Sequence, residues 1–273
     1  MSLFSRKKKL IVSGCSYTDD YATTQNLKPF PLWPELLAEK LDMECINVGK
    51  IAFGNKAIYS TLIDQVVSQK NVGLAISMWS EFQRVSFYMG EGNLPKGIDE
   101  KMLWSCFHPD RDYLEGEWHD QFYDDAEKNP SKKDYVYKVS KVIRENGLGG
   151  MKGGTYDSIR MMYSFQTICE SLDIPHLQVQ GCIPIMSKTG NRGQKELCHY
   201  ILDSCYFDKI NKKTFLGWPI MPQISGTNID NHLDLIDPDR TALRISPEDV
   251  HPNEEAQEII SEILYDQYNK VYS

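Results

Sequence analysis

Short apolar runs alternate with amphipathic segments over the first 80 residues of the chain. Strands are predicted at about 8–13, 44–48 and 72–79, and the last run is apolar throughout, as in strands covered on both faces. Between them, apolar residues recur every three or four positions, which predicts helices over 31–42 and 55–68. Because strands that alternate with helices usually pair in parallel, the pattern predicts a parallel sheet with crossover helices.

The same alternation returns in the second half of the chain. A helix is predicted from about Tyr156 to Leu172, followed by a strand at "HLQVQG" and a final helix that begins after Asn253. Between about 87 and 154 the alternation is replaced by an aromatic-rich insertion, and a second irregular region is predicted at about 182–247. We expect a single domain over 1–273 that carries both segments.

Composition narrows the class of protein. The chain has 273 residues, a formal net charge of −8 and 41% hydrophobic residues, which are values typical of a soluble globular protein. No apolar run approaches the ~20 residues of a membrane span, and no signal-peptide pattern precedes the first strand. We therefore expect a cytoplasmic protein with no membrane span. The acidic balance argues against a nucleic-acid partner, and the oligomeric state stays open.

The cysteines are seven in number and scattered, with no CxxC pair among them. An odd set without paired spacing indicates neither a disulfide framework nor a zinc site. The acidic segment "DNHLDLIDPD", residues 230–239, is interpreted as a solvated loop rather than a metal site. The glycines of "GLGGMKGG" are interpreted as a hinge, since they lack the Gly-Lys-Ser/Thr ending of a phosphate-binding loop.

Polar residues cluster where the predicted strands end. They are Gly14-Cys15-Ser16 after the first strand, Gly49 to Asn55 after the second, Trp79-Ser80-Glu81 after the third, and Glu248, Asp249 and His251 before the final helix. In a doubly wound sheet the carboxyl ends of the strands form the active-site crevice. The topology therefore predicts that these four groups meet in one crevice.

This combination is the one that acyl chemistry requires. A serine needs a base, and the base needs an orienting carboxylate. Ser16 and His251 can fill the first two roles, and either Glu248 or Asp249 the third. The backbone N–H groups of Ser16 and Gly54, with the side chain of Asn55 or Ser80, are candidate donors to an oxyanion.

The stretches "IVSGCSYTDD", "INVGKIAFGNKAI" and "EDVHPN" resemble the SGNH/GDSL hydrolases, in a variant similar to phage and marine-bacterial members. The resemblance implies a flavodoxin-like three-layer α/β/α sandwich, with Ser16 as nucleophile, Gly54 as oxyanion donor and His251 as base. The family's acid lies three residues before the histidine, which selects Glu248, while Asp249 is one residue closer.

The activity implied by the resemblance is serine-dependent hydrolysis of an ester, with no metal and no organic cofactor. An O-acetylated carbohydrate is the first substrate class and a small lipid ester the second, with Tyr17 and Trp79 as candidate substrate contacts. A phage-encoded member can also be virion-associated.

Two positions depart from the family pattern. Cys15 stands where the family usually has an aspartate, and "MWSEFQR" replaces the Gly-x-Asn-Asp block, so that Ser80 or Glu81 takes the place of the asparagine. The second departure motivates an alternative hypothesis, a catalytically inactive glycan-binding or virion-associated structural protein. Acyl transfer to an alcohol, with the same residues, is a third.

Overall fold

The structure is a computed structural model, and it describes residues 7–88, 104–107, 138–139, 141–143, 145–185 and 190–273. The strands are β1 (Lys9–Ser13), β2 (Glu44–Asn47), β3 (Val72–Trp79), β4 (Val85–Tyr88), β5 (Trp104–Phe107), β6 (His176–Gln180) and β7 (Phe215–Leu216). The helices are α1 (Tyr21–Thr24), α2 (Trp33–Lys40), α3 (Asn55–Ser68), α4 (Gly150–Ser171), α5 (Gly190–Leu202), α6 (Ile229–Ile236) and α7 (Glu254–Tyr272).

Five strands form one parallel sheet in the order β2-β1-β3-β6-β7. The chain runs from β1 outward to β2 and then returns to the other side of β1 with β3. This reversal creates a crevice at the carboxyl ends of β1 and β3, where ligands bind in open α/β sheets. The predicted α/β fold with a central parallel sheet is confirmed.

Helices cover both faces of this sheet. Successive side chains of a strand point to opposite faces, so that each face carries an apolar cluster that helices bury. Ile11 contributes to the cluster beneath α3, α4 and α5. Leu10 and Val12 contribute to the opposite cluster, beneath α2, α6 and α7. The result is a three-layer arrangement with the sheet in the middle, which agrees with the apolar character of β3 on both faces.

Local sequence explains where the helices that flank the site begin. Pro34 occupies the first turn of α2, where its missing N–H needs no partner. Asn253 caps α7 by accepting a hydrogen bond from the Ala256 N–H at 3.1 Å. The two helices meet at Gln257, whose side-chain oxygen accepts from the Trp33 N–H at 3.0 Å. The amide of Gln257 donates to the Tyr17 carbonyl at 3.4 Å, which connects α7 to the loop after β1.

The region at about 182–247 contains more regular structure than its hydrophobic pattern predicts. It includes α5, α6 and the short strand β7. The first half of α5 is polar and carries two glycines, so its apolar residues, such as the buried Leu197 and Ile201, occupy only the second half. The two residues of β7 are too few to show a strand period.

At the start of the predicted insertion, β4 and β5 form a two-stranded antiparallel sheet that pairs Val85 with Phe107 and Tyr88 with Trp104. The insertion's other residues up to 137 lie outside the described part of the chain. The last five residues of the glycine-rich segment, 150–154, begin α4, so this part is helical and not a hinge. A Cβ at Gly154 would lie 2.1 Å from the Phe82 carbonyl oxygen, so the close approach of helix and loop requires glycine there.

No helix among the described residues is both long and apolar enough to cross a membrane.

Candidate active site

The loop after β1 holds Ser16 at the carboxyl end of the sheet. The N–H groups of Thr18 and Asp19 both donate to the Cys15 carbonyl, at 2.9 and 3.1 Å, and close a tight turn around the serine. The loop after β2 packs directly against this turn. A Cβ at Gly49 would lie 2.9 Å from both the Gly14 nitrogen and the Thr18 methyl carbon, so only glycine allows the two loops to approach this closely.

The aspartates that follow the serine fix the loop in place. Asp19 accepts hydrogen bonds from the Ile51 N–H and from the Lys50 ammonium group, both at 3.1 Å. Asp20 caps α1 by accepting from the Thr23 N–H at 3.1 Å. The polar cluster after β1 therefore has a structural role around a serine that itself stays partly exposed.

A compact loop between α6 and α7 carries His251. The backbone pairs Arg244 with Pro252, and the Ile245 N–H donates to the His251 carbonyl at 2.9 Å. Inside the loop, the Ser246 hydroxyl oxygen accepts from the N–H groups of Glu248 and Asp249, at 3.2 and 3.0 Å. This turn directs the Asp249 side chain toward the imidazole.

Ser16, His251 and Asp249 form a continuous hydrogen-bonded chain, which we call the Ser16 site. The distance between Ser16 Oγ and His251 Nε2 is 2.9 Å, and the distance between His251 Nδ1 and Asp249 Oδ1 is 2.6 Å. An ionised carboxylate can only accept, so we assign the imidazole proton to Nδ1 and leave Nε2 to accept from the serine hydroxyl. This geometry can remove a proton from Ser16 when the oxygen attacks an electrophile.

The electrostatics favour an ionised Asp249. Burial raises the pKa of its carboxyl group, but the hydrogen bonds and charge of His251, together with the Tyr21 hydroxyl, outweigh this and bring the pKa below its usual value. An ionised carboxylate beside Nδ1 is what a histidine base requires during proton transfer.

Glu248, the other candidate acid, does not contact the imidazole. Its side chain is exposed, and its Oε2 accepts from the Ser246 hydroxyl at 2.9 Å. The structure thus brings together Ser16, His251 and Asp249, and leaves Glu248 at the rim of the loop.

Tyr21 belongs to this arrangement, although the sequence analysis does not select it. Its ring stacks on the His251 ring with centroids 3.7 Å apart and planes 20° apart. Its hydroxyl group donates a hydrogen bond to Asp249, and burial with the Asp249 charge raises the pKa of Tyr21. Asp20 is the sequence signal that could have identified Tyr21. As a helix-capping residue, Asp20 predicts that a helix begins at Tyr21, five positions after Ser16.

The proposed oxyanion donors of the second and third loops have partners within the protein. Asn55 accepts from the Ser80 N–H at 2.8 Å, and its amide donates to the Ser80 carbonyl and the Ser158 hydroxyl, at 3.3 and 2.8 Å. The Gly54 N–H donates to the sulfur of Cys106, whose pKa is raised by burial. Asn55 therefore connects the loops after β2 and β3, with both of its amide protons in use.

The two candidate substrate contacts lie in the interior, which corrects that expectation. Trp79 is fully buried, and its indole N–H donates to Gln178 Oε1 at 3.0 Å. Tyr17 is 4% exposed, and its hydroxyl donates to Asp230 Oδ1 at 2.7 Å. Trp79 is the last residue of β3 and Tyr17 follows the end of β1, but their large side chains turn into the core, where aromatic burial is favourable.

The interpretation of the acidic segment as a solvated loop is also wrong, because most of its carboxylates accept hydrogen bonds from other residues of the protein. Asp230 accepts from Arg244 at 3.1 Å as well as from Tyr17, and Asp234 accepts from Arg244 at 2.8 Å and from Arg240 at 2.5 Å. Arg244 also donates to the Val250 carbonyl at 3.2 Å. This buried network joins the loop of Ser16 to the loop of His251. Within the described ranges, no three His, Cys, Asp or Glu side chains are grouped to hold a metal ion.

Cys15 stands where the hydrolases that the sequence resembles usually have an aspartate. It is buried, and the thiol of Cys182 and the charge of Arg84 lower its pKa to about 5 despite the opposing effect of burial. None of the seven cysteines, all of which lie in the described part of the chain, forms a disulfide. Cys205 is exposed, and Cys45, Cys106 and Cys182 are partly exposed.

A cavity of about 560 Å³ lies between the starts of α3 and α4 and strand β4. Asn55 and Ser158 line it, but Ser16, Asp249 and His251 do not. The cavity is therefore adjacent to the loop after β2 and is separate from the hydrogen-bonded chain of the Ser16 site.

Comparisons with known proteins give similarity in fold alone. No protein-family model and no curated protein matches the chain. A solved structure of a lipolytic G-D-S-L family protein from Desulfitobacterium hafniense DCB-2 is 14% identical, with a TM-score of 0.48, and the match covers 96% of this chain and 99% of that one.

Two further solved structures resemble the chain to a similar degree. The esterase EstA from Pseudoalteromonas sp. is 14% identical over 97% of each chain, with a TM-score of 0.44. The α/β hydrolase LAE5 from the metagenome of Lake Arreo, Spain, is 8% identical over 99% of each chain, with a TM-score of 0.48. At these identities and scores the likeness carries no argument about chemistry, which depends on the residues of this chain.

Proposed function

We propose that this protein is a serine-dependent ester hydrolase of the SGNH/GDSL superfamily, with Ser16, His251 and Asp249 as its catalytic residues. The observation that carries the proposal is the 2.9 Å distance between Ser16 Oγ and His251 Nε2, continued by the 2.6 Å contact of Nδ1 with Asp249. The fold brings a serine and a histidine 235 positions apart into the geometry that activation of a nucleophile requires, and the sequence motifs around them resemble those of the same superfamily.

In the first half of the reaction, Ser16 Oγ attacks the ester carbonyl carbon while its proton moves to His251 Nε2. The tetrahedral intermediate collapses as its bond to the leaving alcohol breaks, and His251 returns the proton to that alcohol. The acyl group then remains on Ser16. Asp249 stays ionised and stabilises the imidazolium, in keeping with its lowered pKa.

In the second half, water replaces the alcohol. His251 takes a proton from water as the water oxygen attacks the acyl-Ser16 carbonyl. As the second tetrahedral intermediate collapses, the bond between the acyl carbon and Ser16 Oγ breaks, the acid is released, and His251 returns the proton to Ser16 Oγ. No step requires a metal or an organic cofactor.

The oxyanion requires fixed N–H donors near Ser16. The sequence resemblance supports the backbone N–H groups of Ser16 and Gly54 in this role, and the thiol that the Gly54 N–H contacts is a weak acceptor that a developing oxyanion can displace. Asn55 instead supports the loop after β3 through its bonds to Ser80. An O-acetylated carbohydrate is the preferred substrate class, and a small lipid ester the second.

Covalent labelling tests the proposal directly. A fluorophosphonate should modify the wild-type protein once, at Ser16, because the hydroxyl that His251 activates is the reactive one. Intact mass and peptide mapping would record the modification. Ser16→Ala should remain unlabelled, whereas Ser68→Ala, which removes an exposed hydroxyl at the end of α3, should be labelled like the wild type. Wild-type protein that stays unmodified would contradict the proposal.

One observation favours a second candidate function. The loop after β3 reads "WSEF" in place of an asparagine block, and both amide protons of Asn55 are engaged inside the protein. A catalytically inactive glycan-binding module, virion-associated if phage-encoded, needs no oxyanion donors. Such a protein would bind O-acetylated glycans in equilibrium binding measurements, with no fluorophosphonate adduct and no release of acetate.

A further inference from the structure

We infer that Tyr21 is a positioning residue of the Ser16 site, which fixes the plane of the His251 ring and orients Asp249 toward it. The inference rests on the proposed function, and it adds a fourth side chain that neither the motifs nor the family resemblance selects. Two independent contacts carry it, one to each member of the His251–Asp249 pair.

The first contact is the ring stack. The centroids of Tyr21 and His251 lie 3.7 Å apart at an interplanar angle of 20°, so the tyrosine ring packs against one face of the imidazole. A second aromatic ring, that of Tyr17, meets the imidazole edge to face at 5.7 Å and 70°. Rotation of His251 about its side-chain bonds would break both contacts, so the ring is held in the plane in which Nε2 faces Ser16 Oγ at 2.9 Å.

The second contact is the hydrogen bond from the Tyr21 hydroxyl to Asp249. Asp249 Oδ1 already accepts from the Nδ1–H of His251 at 2.6 Å and from its backbone N–H at 3.2 Å. A donor from a separate helix, α1, opposes rotation of this partly exposed carboxylate toward solvent.

The stack also has an electronic consequence. His251 gains a positive charge when it removes the Ser16 proton, and the face of an aromatic ring attracts a cation. Tyr21 therefore interacts more strongly with the imidazolium of the transition state than with the neutral ring of the resting state. Such a difference raises kcat rather than substrate affinity.

The two contacts can be separated by substitution. Tyr21→Phe keeps the stack and removes the hydrogen bond, and we expect kcat to fall about 10-fold, the effect of one hydrogen bond to a charged group. Tyr21→Leu removes both contacts, and we expect a fall of about 100-fold. In both variants KM should stay within about twofold, since Tyr21 acts through His251 and Asp249 and not through the substrate.

Tyr156→Phe is the matched control, because the Tyr156 hydroxyl also donates to an aspartate, Asp203, at 3.0 Å, but away from His251. Its kcat should equal that of the wild type. Wild-type kcat in Tyr21→Leu, or a rise in KM that accounts for the whole loss of kcat/KM, would overturn the inference.

A second measurement needs no turnover and so separates this inference from the proposed function. The proton between His251 Nδ1 and Asp249 should give a strongly deshielded proton NMR signal, assigned by its absence in Asp249→Asn. We expect the signal to persist in Tyr21→Phe and Tyr156→Phe and to be lost in Tyr21→Leu, where water reaches the ring.

If the wild type is neither labelled nor active, the proposed function fails, and this signal alone decides the role of Tyr21. An unchanged signal in a folded Tyr21→Leu protein would reject it.

Discussion

Replacement of Asp249 by asparagine is expected to lower kcat/KM for p-nitrophenyl acetate roughly 10,000-fold, as the loss of the correct histidine tautomer does in a serine triad. An asparagine amide at 249 can donate to Nδ1, which favours the tautomer with its proton on Nε2. That proton would then face Ser16 Oγ across the 2.9 Å contact, and the imidazole could not act as a base. Initial rates over a range of substrate concentrations would measure the effect.

Glu248→Gln provides the matched control for Asp249→Asn. It makes the same chemical change one residue away, on a side chain that is exposed and bonded to the Ser246 hydroxyl. We expect kcat/KM to stay within about twofold, as for most surface substitutions. A loss in Glu248→Gln as large as that in Asp249→Asn would show that the acid is wrongly assigned.

The second large effect concerns stability. Arg244→Met should lower the free energy of unfolding by about 3–5 kcal/mol, because it leaves a buried carboxylate without its cation. The side chains of Arg244 and Asp230 are only 1% and 9% exposed, and Arg244 also donates to the Val250 carbonyl beside His251. Methionine has a similar length and apolar stem, so the variant removes chiefly the charge and its hydrogen bonds.

Urea denaturation would measure the change through the midpoint at a constant m-value. Arg240→Met is the control, since Arg240 also pairs with Asp234 but its side chain is 35% exposed. We expect it to lower the free energy of unfolding by less than about 1 kcal/mol. Equal decreases in the free energy of unfolding of the two variants would show that the buried Arg244 pair stabilises the protein no more than the exposed Arg240 pair does.

The sheet and its helices could be predicted because their signals are local and strong. The limits of α3 and β3 agree with the periodicity of their apolar residues, and the cap of α7 agrees with Asn253. The parallel order of the strands then brings Ser16 and His251 to one edge. The elements α5 and β7 were not predicted, because one begins with polar and glycine residues and the other has only two residues.

The details of the site were less predictable, since they depend on the direction of single side chains. The sequence could not choose between Glu248 and Asp249, because the turn closed by Ser246 decides which carboxylate faces the ring. The acidic segment looked solvated because its partners, Arg240 and Arg244, lie outside it in the sequence and pair with it only in the fold. Trp79 looked available to a substrate because the sequence does not show that its indole pairs with Gln178 in the core.

The separation of 235 positions between Ser16 and His251 bears on when the site can exist. Contacts between such distant parts of a chain raise contact order and tend to form late in folding. During synthesis Ser16, the proposed nucleophile, emerges early, whereas His251, the proposed base, emerges just before α7, which then docks through Gln257 on the loop after β1. In a nascent chain Ser16 therefore lacks its partner His251 until α7 joins the sheet, so that the Ser16 site and the packing of this helix are completed together.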